Sequence, residues 1–220
     1  MPWPFWPGHF FTPLPMSCFT HLRRWLGLVI LLGASPTLAQ GDSLARQIEQ
    51  AHQRALCTLD HVLTLYEARI EQADDPVAAW NRNGRLRKWL GQLSPTDQAA
   101  VAEHGRLLRT MRRRLRQREV QYVIDREPKG RCAKHHTNAY VHLADTTAVI
   151  YVCDRWRSQQ DQQRVATLLH ELMHTFGYDH PNDTDTPFKA FHLAKDHPEL
   201  ARQSPENFES WVEYYVCKLE

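Results

Sequence analysis

Residues 170–180 read His170-Glu171-Leu172-Met173-His174-Thr175-Phe176-Gly177-Tyr178-Asp179-His180. The first five form an H-E-x-x-H element. On a helix, residues four apart share a face, so His170 and His174 can present ring nitrogens to one Zn²⁺. Glu171 stands beside them and is the candidate general base, placed to take a proton from the attacking water. The opposite face is apolar, with Val165, Leu169, Leu172 and Phe176 recurring at helical steps. A helix over about 159–176 is therefore expected to bury that stripe and open its histidine face to a cleft.

A catalytic zinc takes a third protein ligand and keeps one position open. Gly177 can end the helix and reverse the chain, and His180 can then return to the metal. The whole run has the H-E-x-x-H-x-x-G-x-x-H ligand spacing of metzincins. Metzincins also need a downstream methionine turn. The methionines here are Met1, Met16, Met111 and Met173, so none lies beyond the helix. The ligand spacing fits and the metzincin family does not.

Around this helix the chain falls into two parts. Before it, Leu44, Ile48, Ala51, Ala55, Leu59, Val62, Tyr66 and Ile70 predict one amphipathic helix over 43–72, ended by Asp74-Asp75-Pro76. A second helix is expected over about 77–91. A third should start with Ser94 as N-cap and Pro95 at its first position, and run to about 119 with Val101, Leu108, Met111 and Leu115 inward. After 119, strands are expected at 120–124, 139–143 and 148–152, then the histidine helix, an irregular stretch over 177–190 and a last helix over 205–218. The fold class is α+β: a helical lobe over about 43–119, and a catalytic part over about 120–220 with a small sheet under the active helix.

Arg23-Arg24, the apolar run Trp25–Ala34 and Thr37-Leu38-Ala39 have the plan of a secretory signal, with cleavage expected after Ala39. Met16 is an alternative start, and the arginine pair also fits a weak twin-arginine signal. Ten apolar residues are too few to span a bilayer, which takes roughly 20, so no membrane anchor is expected. The mature chain, 40–220, is a single domain. Without the two leader arginines its charge falls from +2 to near zero. That balance argues against a dedicated nucleic-acid binder. The hydrophobic content of 42% excludes collagen-like, low-complexity and wholly disordered chains. Seven arginines between 106 and 118 form either a solvated helix face or a surface for nucleic acid or anionic cell-wall polymers. Cys57, Cys132, Cys153 and Cys217 survive cleavage, an even number that predicts two disulfides in an oxidising compartment, the periplasm or the exterior.

Several segments together resemble the aspzincins, the deuterolysins and peptidyl-Lys metalloendopeptidases. Arg87-Lys88-Trp89-Leu90-Gly91 is similar to that family's Trp-Phe-Gly region. Ala139-Tyr140-Val141 and Val149-Ile150-Tyr151-Val152-Cys153 are similar to its strand pair. Residues 167–174 match its active helix, and residues 193–201 with 206–211 resemble its closing helix. The resemblance spans about residues 80–217. It implies a zincin-like fold and a secreted zinc endopeptidase acting on proteins or peptides, here expected as a monomer. It also suggests Cys132–Cys153 and Cys57–Cys217 as the disulfides.

The chain departs from the family at the third ligand. Aspzincins use the Asp of a Gly-Thr-x-Asp-x-x-Tyr-Gly motif, whose Tyr assists the transition state. Here His180-Pro181-Asn182-Asp183-Thr184-Asp185-Thr186-Pro187-Phe188 stands in that place. His180 leads as third ligand, with Asp183 and Asp185 as alternatives; the oxyanion stabiliser is left open, with Tyr178, Tyr214 and Tyr215 as candidates to replace the missing Tyr. In the lysine-specific members, acids matching Glu206 and Glu209 receive a Lys after the scissile bond. The plainer reading of these acids is a helix start capped by Ser204. The missing Tyr also keeps open a zincin-scaffold binding module with little activity. Secretion and the arginine run keep open an envelope or peptidoglycan-directed peptidase.

Overall fold

All eight apolar side chains that predict the first helix are buried. They lie along α1 (Pro36–Tyr66) and the π-helical turn Glu67–Glu71 that extends it. The computed structural model describes residues 36–127, 129–135, 137–143, 147–181 and 187–218. Most of the expected leader, with Met16 and Arg23-Arg24, lies outside them, as do Asp183 and Asp185. No helix among the described residues is long and apolar enough to cross a membrane.

The helix expected over 77–91 is two. Asp75 caps α2 (Pro76–Arg82) by accepting the Ala78 N–H at 2.9 Å. Asn83 then interrupts the run, because its side-chain oxygen accepts the N–H groups of Arg85 and Leu86, each at 3.1 Å. That bonding competes with helix continuation and starts α3 (Gly84–Leu90) instead. Gly91 ends α3 at φ +81°, and its carbonyl accepts the buried Trp80 indole N–H at 2.9 Å.

The third helix also starts later than its sequence suggests. Ser94 does not cap it. The Ser94 N–H donates to Asp97 Oδ2 at 3.1 Å and the Asp97 N–H to the Ser94 carbonyl at 3.0 Å. This turn moves the start of α4 to Gln98, and α4 ends at Arg116. Val101, Leu108, Met111 and Leu115 are buried as expected.

The arginine run is engaged by protein groups. Arg109 bridges Glu67 and Glu71, Arg112 and Arg116 share Asp60, and Arg118 binds Glu49. Arg106 and Arg113 pair with Glu103 and Glu119. Arg114 donates to Thr175 Oγ1 at 2.9 Å and lies over the Phe176 ring at 4.1 Å. The helix face is thus a laced contact with α1 and the end of the histidine helix rather than an open cationic stripe.

The sheet has the order β1-β3-β2. β1 (Gln121–Asp125) runs parallel to the central β3 (Val149–Cys153), with Gln121 opposite Val149. β2 pairs antiparallel with β3 and is only Ala139–Tyr140, shorter than expected. A short helix the sequence reading missed, α5 (Arg131–His135), precedes β2. α6 (Asp161–His174) packs against the sheet, α1 and the later helix over Pro205–Val212. The stretch expected to be irregular up to residue 190 is helical from Pro187: α7 spans Pro187–Asp196 and α8 Pro198–Ala201. α9 (Pro205–Val212) is capped by Ser204, whose Oγ accepts the Asn207 N–H at 3.3 Å. It ends at Val212 and gives way to a 3-10 turn over Glu213–Tyr215. Asn207, fully buried, donates to the carbonyls of Trp89 at 2.6 Å and Ala190 at 2.7 Å, which locks α9 to α3 and α7. The result is α+β, with the helical part first and the active helix against a small sheet.

Cys57 is bonded to Cys217 and Cys132 to Cys153, across sequence separations of 160 and 21 residues. Loop-closure entropy grows with separation, so the longer bridge should stabilise more, about 5 against about 3 kcal/mol in the chain-entropy description. Cys57→Ser/Cys217→Ser is expected to lower Tm more than Cys132→Ser/Cys153→Ser in thermal melts. A reversed order would show that the long bridge adds little to holding the segment around Cys217 on α1.

Candidate active site

α6 positions the first two histidines. Gln163 Oε1 accepts the Gln160 N–H at 3.0 Å at its start, and Arg164 ties that start to the Trp156 and Arg157 carbonyls. Val165, Leu169 and Leu172 are buried, and Phe176 is half-buried under Arg114. The helix then stops at Gly177, which sits at φ +83° with open space around it. Backbone conformation, not crowding, therefore selects glycine here. The reversal brings His180 back over the helix face. Ring centroids lie 5.4 Å from His180 to His170 and 4.5 Å from His180 to His174.

One ligand atom from each of His170, His174 and His180 falls within 4.8 Å of the others. His170 Nε2 and His174 Nε2 are 3.2 Å apart. Two nitrogens bound tetrahedrally to zinc at 2.0–2.1 Å would be separated by about 3.3 Å. The remaining ring nitrogens are already engaged. His174 Nδ1–H donates to the Tyr178 carbonyl at 2.7 Å, and His170 Nδ1 pairs with Glu209 at 2.9 Å. His180 Nδ1 pairs with Glu206. Each partner oxygen accepts a proton on Nδ1, which leaves Nε2 with its lone pair toward the common centre. This is how histidine metal ligands are oriented by their outer partners. The residues therefore fit a zinc ion.

The local charges point the same way. Burial alone would push His170 down, but the Glu209 hydrogen bond and the charges of Glu209, Glu171 and Glu206 lift it to about 9. Burial and the neighbouring His170 lower His174 to about 4, despite the Tyr178 carbonyl. Below about pH 9 a metal-free His170 therefore carries a second ring proton, on the nitrogen that faces His174. Zinc must displace that proton. Zinc affinity is expected to rise with pH between about 6 and 9, by up to about tenfold per unit, and then to level off. Isothermal titration in buffers of different ionisation enthalpy would count the released proton. A pH-independent affinity with no proton release would contradict this.

Glu171 is 7% exposed, and its carboxylate forms no hydrogen bond among the described residues. Burial raises its pKa, while His170 and more weakly His180 and Arg131 oppose the rise. A carboxylate so placed can hold a water and take up its proton. The three tyrosines considered as transition-state partners are engaged elsewhere. The Tyr178 ring lies by Glu103, in a pocket with His104 and Arg202. Tyr214 and Tyr215 lie beneath Arg85.

Glu206 and Glu209 thus have a role the sequence reading did not assign, as partners of His180 and His170. No local signal could reveal it, because the partners lie 26 and 39 residues away. The two acids also line a pocket of about 300 Å³ with Glu213, Thr167, Gln163 and Ser210. Glu206→Gln and Glu209→Gln are each expected to weaken zinc binding by about 10–100-fold, the usual cost of losing such a partner. Competition with a chromophoric chelator reads this directly. Unchanged affinity in both variants would limit these acids to the pocket.

A sequence profile for the aspzincin M35 family, described as lysine-specific metallo-endopeptidase, matches residues 77–215. This chain is an aspzincin. It is accordingly a zinc metalloendopeptidase, a hydrolase whose substrates are proteins or peptides. The solved structure of a zinc peptidase from Grifola frondosa matches this aspzincin with a TM-score of 0.60, covering 78% of this chain and 94% of that one. Their sequences are 16% identical, so the likeness is one of fold. No curated protein sequence matches significantly.

Proposed function

We propose that the aspzincin centre in this chain is built from His170, His174 and His180, with Glu171 as general base. The observation that carries this is the convergence of three imidazoles whose Nδ1 atoms are all held by oxygen acceptors. Asp183 and Asp185 are the competing third ligands from the sequence. When bound, zinc polarises the scissile carbonyl and makes water acidic enough to ionise near neutral pH. Glu171 holds the attacking water, takes its proton and hands it to the leaving amine. Glu206 and Glu209 keep the outer two rings in register, and the Tyr178 carbonyl keeps the middle one.

The acid-lined pocket of Glu206, Glu209 and Glu213 supports a preference for a cationic side chain, Lys in particular, just after the cleaved bond. The leader-like start and the two disulfides support export, with residues 40–220 as the mature monomeric domain. The arginine run that suggested envelope binding is paired within the protein, which removes that motive. A scaffold with little activity is favoured only by the engagement of Tyr178, Tyr214 and Tyr215 away from the triad.

The test is mass spectrometry of an unfolded protein after incubation with the purified enzyme. Cleavage should vanish on chelation, return with zinc and occur before Lys. Chelator-sensitive cleavage without Lys bias keeps the peptidase and discards the pocket. A zinc-loaded protein that cuts nothing overturns the proposed reaction.

A further inference from the structure

A groove of about 910 Å³, far larger than the pocket beside the histidines, opens where the end of α1, the start of α3 and the 213–215 turn meet. Its floor is core: Tyr66, Leu86 and Trp211 are all buried. Its other lining includes Arg69, Arg85 and Tyr214, and no Asp or Glu among the described residues. Tyr214, 49% exposed, forms part of its rim. The Cys57–Cys217 bridge anchors the chain just after the 213–215 turn.

The two guanidiniums set this groove apart. The Arg85 guanidinium carbon lies 5.0 Å from the Tyr214 ring centroid and 5.1 Å from that of Tyr215. Ring contact at that distance orders the guanidinium by its face and leaves its N–H groups for another acceptor. Neither Arg69 nor Arg85 forms a hydrogen bond or an ion pair among the described residues. Every arginine between 106 and 118, by contrast, has found an acceptor in the protein. Two cations with no acceptor and no acid beside them among the described residues, over a core-like floor, call for a ligand that brings carboxylates and apolar side chains together.

We propose that this groove is an exosite for an acidic peptide segment, with carboxylates on Arg69 and Arg85 and an apolar side chain between Trp211 and Tyr214. A peptide fits better than a long polyanion, because the groove pairs two guanidiniums with a core-like floor and offers no extended track of cations. Glu213 lines the pocket beside the histidines, whereas Tyr214 and Tyr215 line the groove, so one short turn separates the two. An acidic stretch of a substrate would dock here while a neighbouring bond is cut. The peptidase reading supplies only the source of the peptide; binding itself needs neither turnover nor a particular third zinc ligand.

The test uses full-length, zinc-loaded Glu171→Gln protein, which holds peptides without cutting them. The probe is a fluorescein-labelled octapeptide alternating Glu and Leu, compared by anisotropy with its Gln-Leu counterpart. The Glu peptide should bind about tenfold tighter or better. It should lose that advantage in Arg69→Ala/Arg85→Ala, and weaken as salt rises from about 50 to about 300 mM. The control Arg87→Ala/Lys88→Ala removes two exposed cations outside the groove and should leave binding within about twofold. In otherwise wild-type enzyme, the groove variant should raise KM for an acid-tailed substrate and leave kcat unchanged. Equal affinity for the two peptides, or unchanged binding in a groove variant that melts like its parent, overturns the exosite. Arginine-dependent binding of an acidic polysaccharide but not of the Glu peptide overturns the peptide as its occupant.

Discussion

Glu171→Gln should retain zinc and lose cleavage by about 10²–10⁴-fold in kcat, the usual worth of a positioned general acid–base. The physical case is specific to this carboxylate. It is buried, it follows His170 directly on α6, and it makes no hydrogen bond with the described protein groups. Gln keeps the volume and can still hold a water, but it cannot accept a proton. The zinc ligands and their oxygen partners are untouched, so metal content should match the parent. Loss of activity with loss of zinc would mean that Glu171 helps to hold the metal. Full activity with full zinc would remove it from the reaction.

His180→Ala should have the largest effect on the metal. The ring is the most exposed of the three, with 44% of its side chain accessible against 12% for His170. Exposure does not make it dispensable, because a tetrahedral centre with only two imidazoles must fill its positions with water. The loss in zinc affinity should exceed the roughly 100-fold ceiling expected for Glu206→Gln or Glu209→Gln, which act only through a ligand. Asp183→Ala and Asp185→Ala should leave affinity near that of the parent. If either Asp variant loses zinc and His180→Ala does not, the third ligand comes from the acidic loop, as the family pattern suggests. The His180–Glu206 pair would then be an ordinary surface contact. Measuring all three variants against the same chelator separates these cases.

Much of the fold was legible because helical periodicity is a local signal. Leu44 through Ile70 mark one buried stripe, and the structure buries all eight side chains. Boundaries were less legible where a polar side chain redirects the backbone. Asn83 splits one apparent helix into two, and the Ser94–Asp97 turn delays α4 although Ser-Pro reads as a start. The second expected strand segment, 139–143, shrinks to Ala139–Tyr140, although Val141 is still buried. Hydrophobicity reported burial there but not pairing.

At the site, H-E-x-x-H is local and was read directly, and Gly177 before His180 gave the return of the chain. The outer partners were not readable in the same way. Glu206 and Glu209 look like a helix start or a lysine pocket in sequence. Only the packing of α9 beside α6 puts their carboxylates against imidazoles. The same distance effect hid the fate of the arginine run, whose acids Glu49, Asp60, Glu67 and Glu71 lie on or just beyond α1.

The most direct test of the three-histidine centre is a zinc-edge anomalous diffraction map of crystals grown with zinc. One strong peak should lie within about 2.0–2.1 Å of Nε2 of His170, His174 and His180, the normal zinc–imidazole distance, with Glu206 and Glu209 still on the outer nitrogens. A peak bound instead by Asp183 or Asp185, with His180 turned away, would contradict the proposed centre.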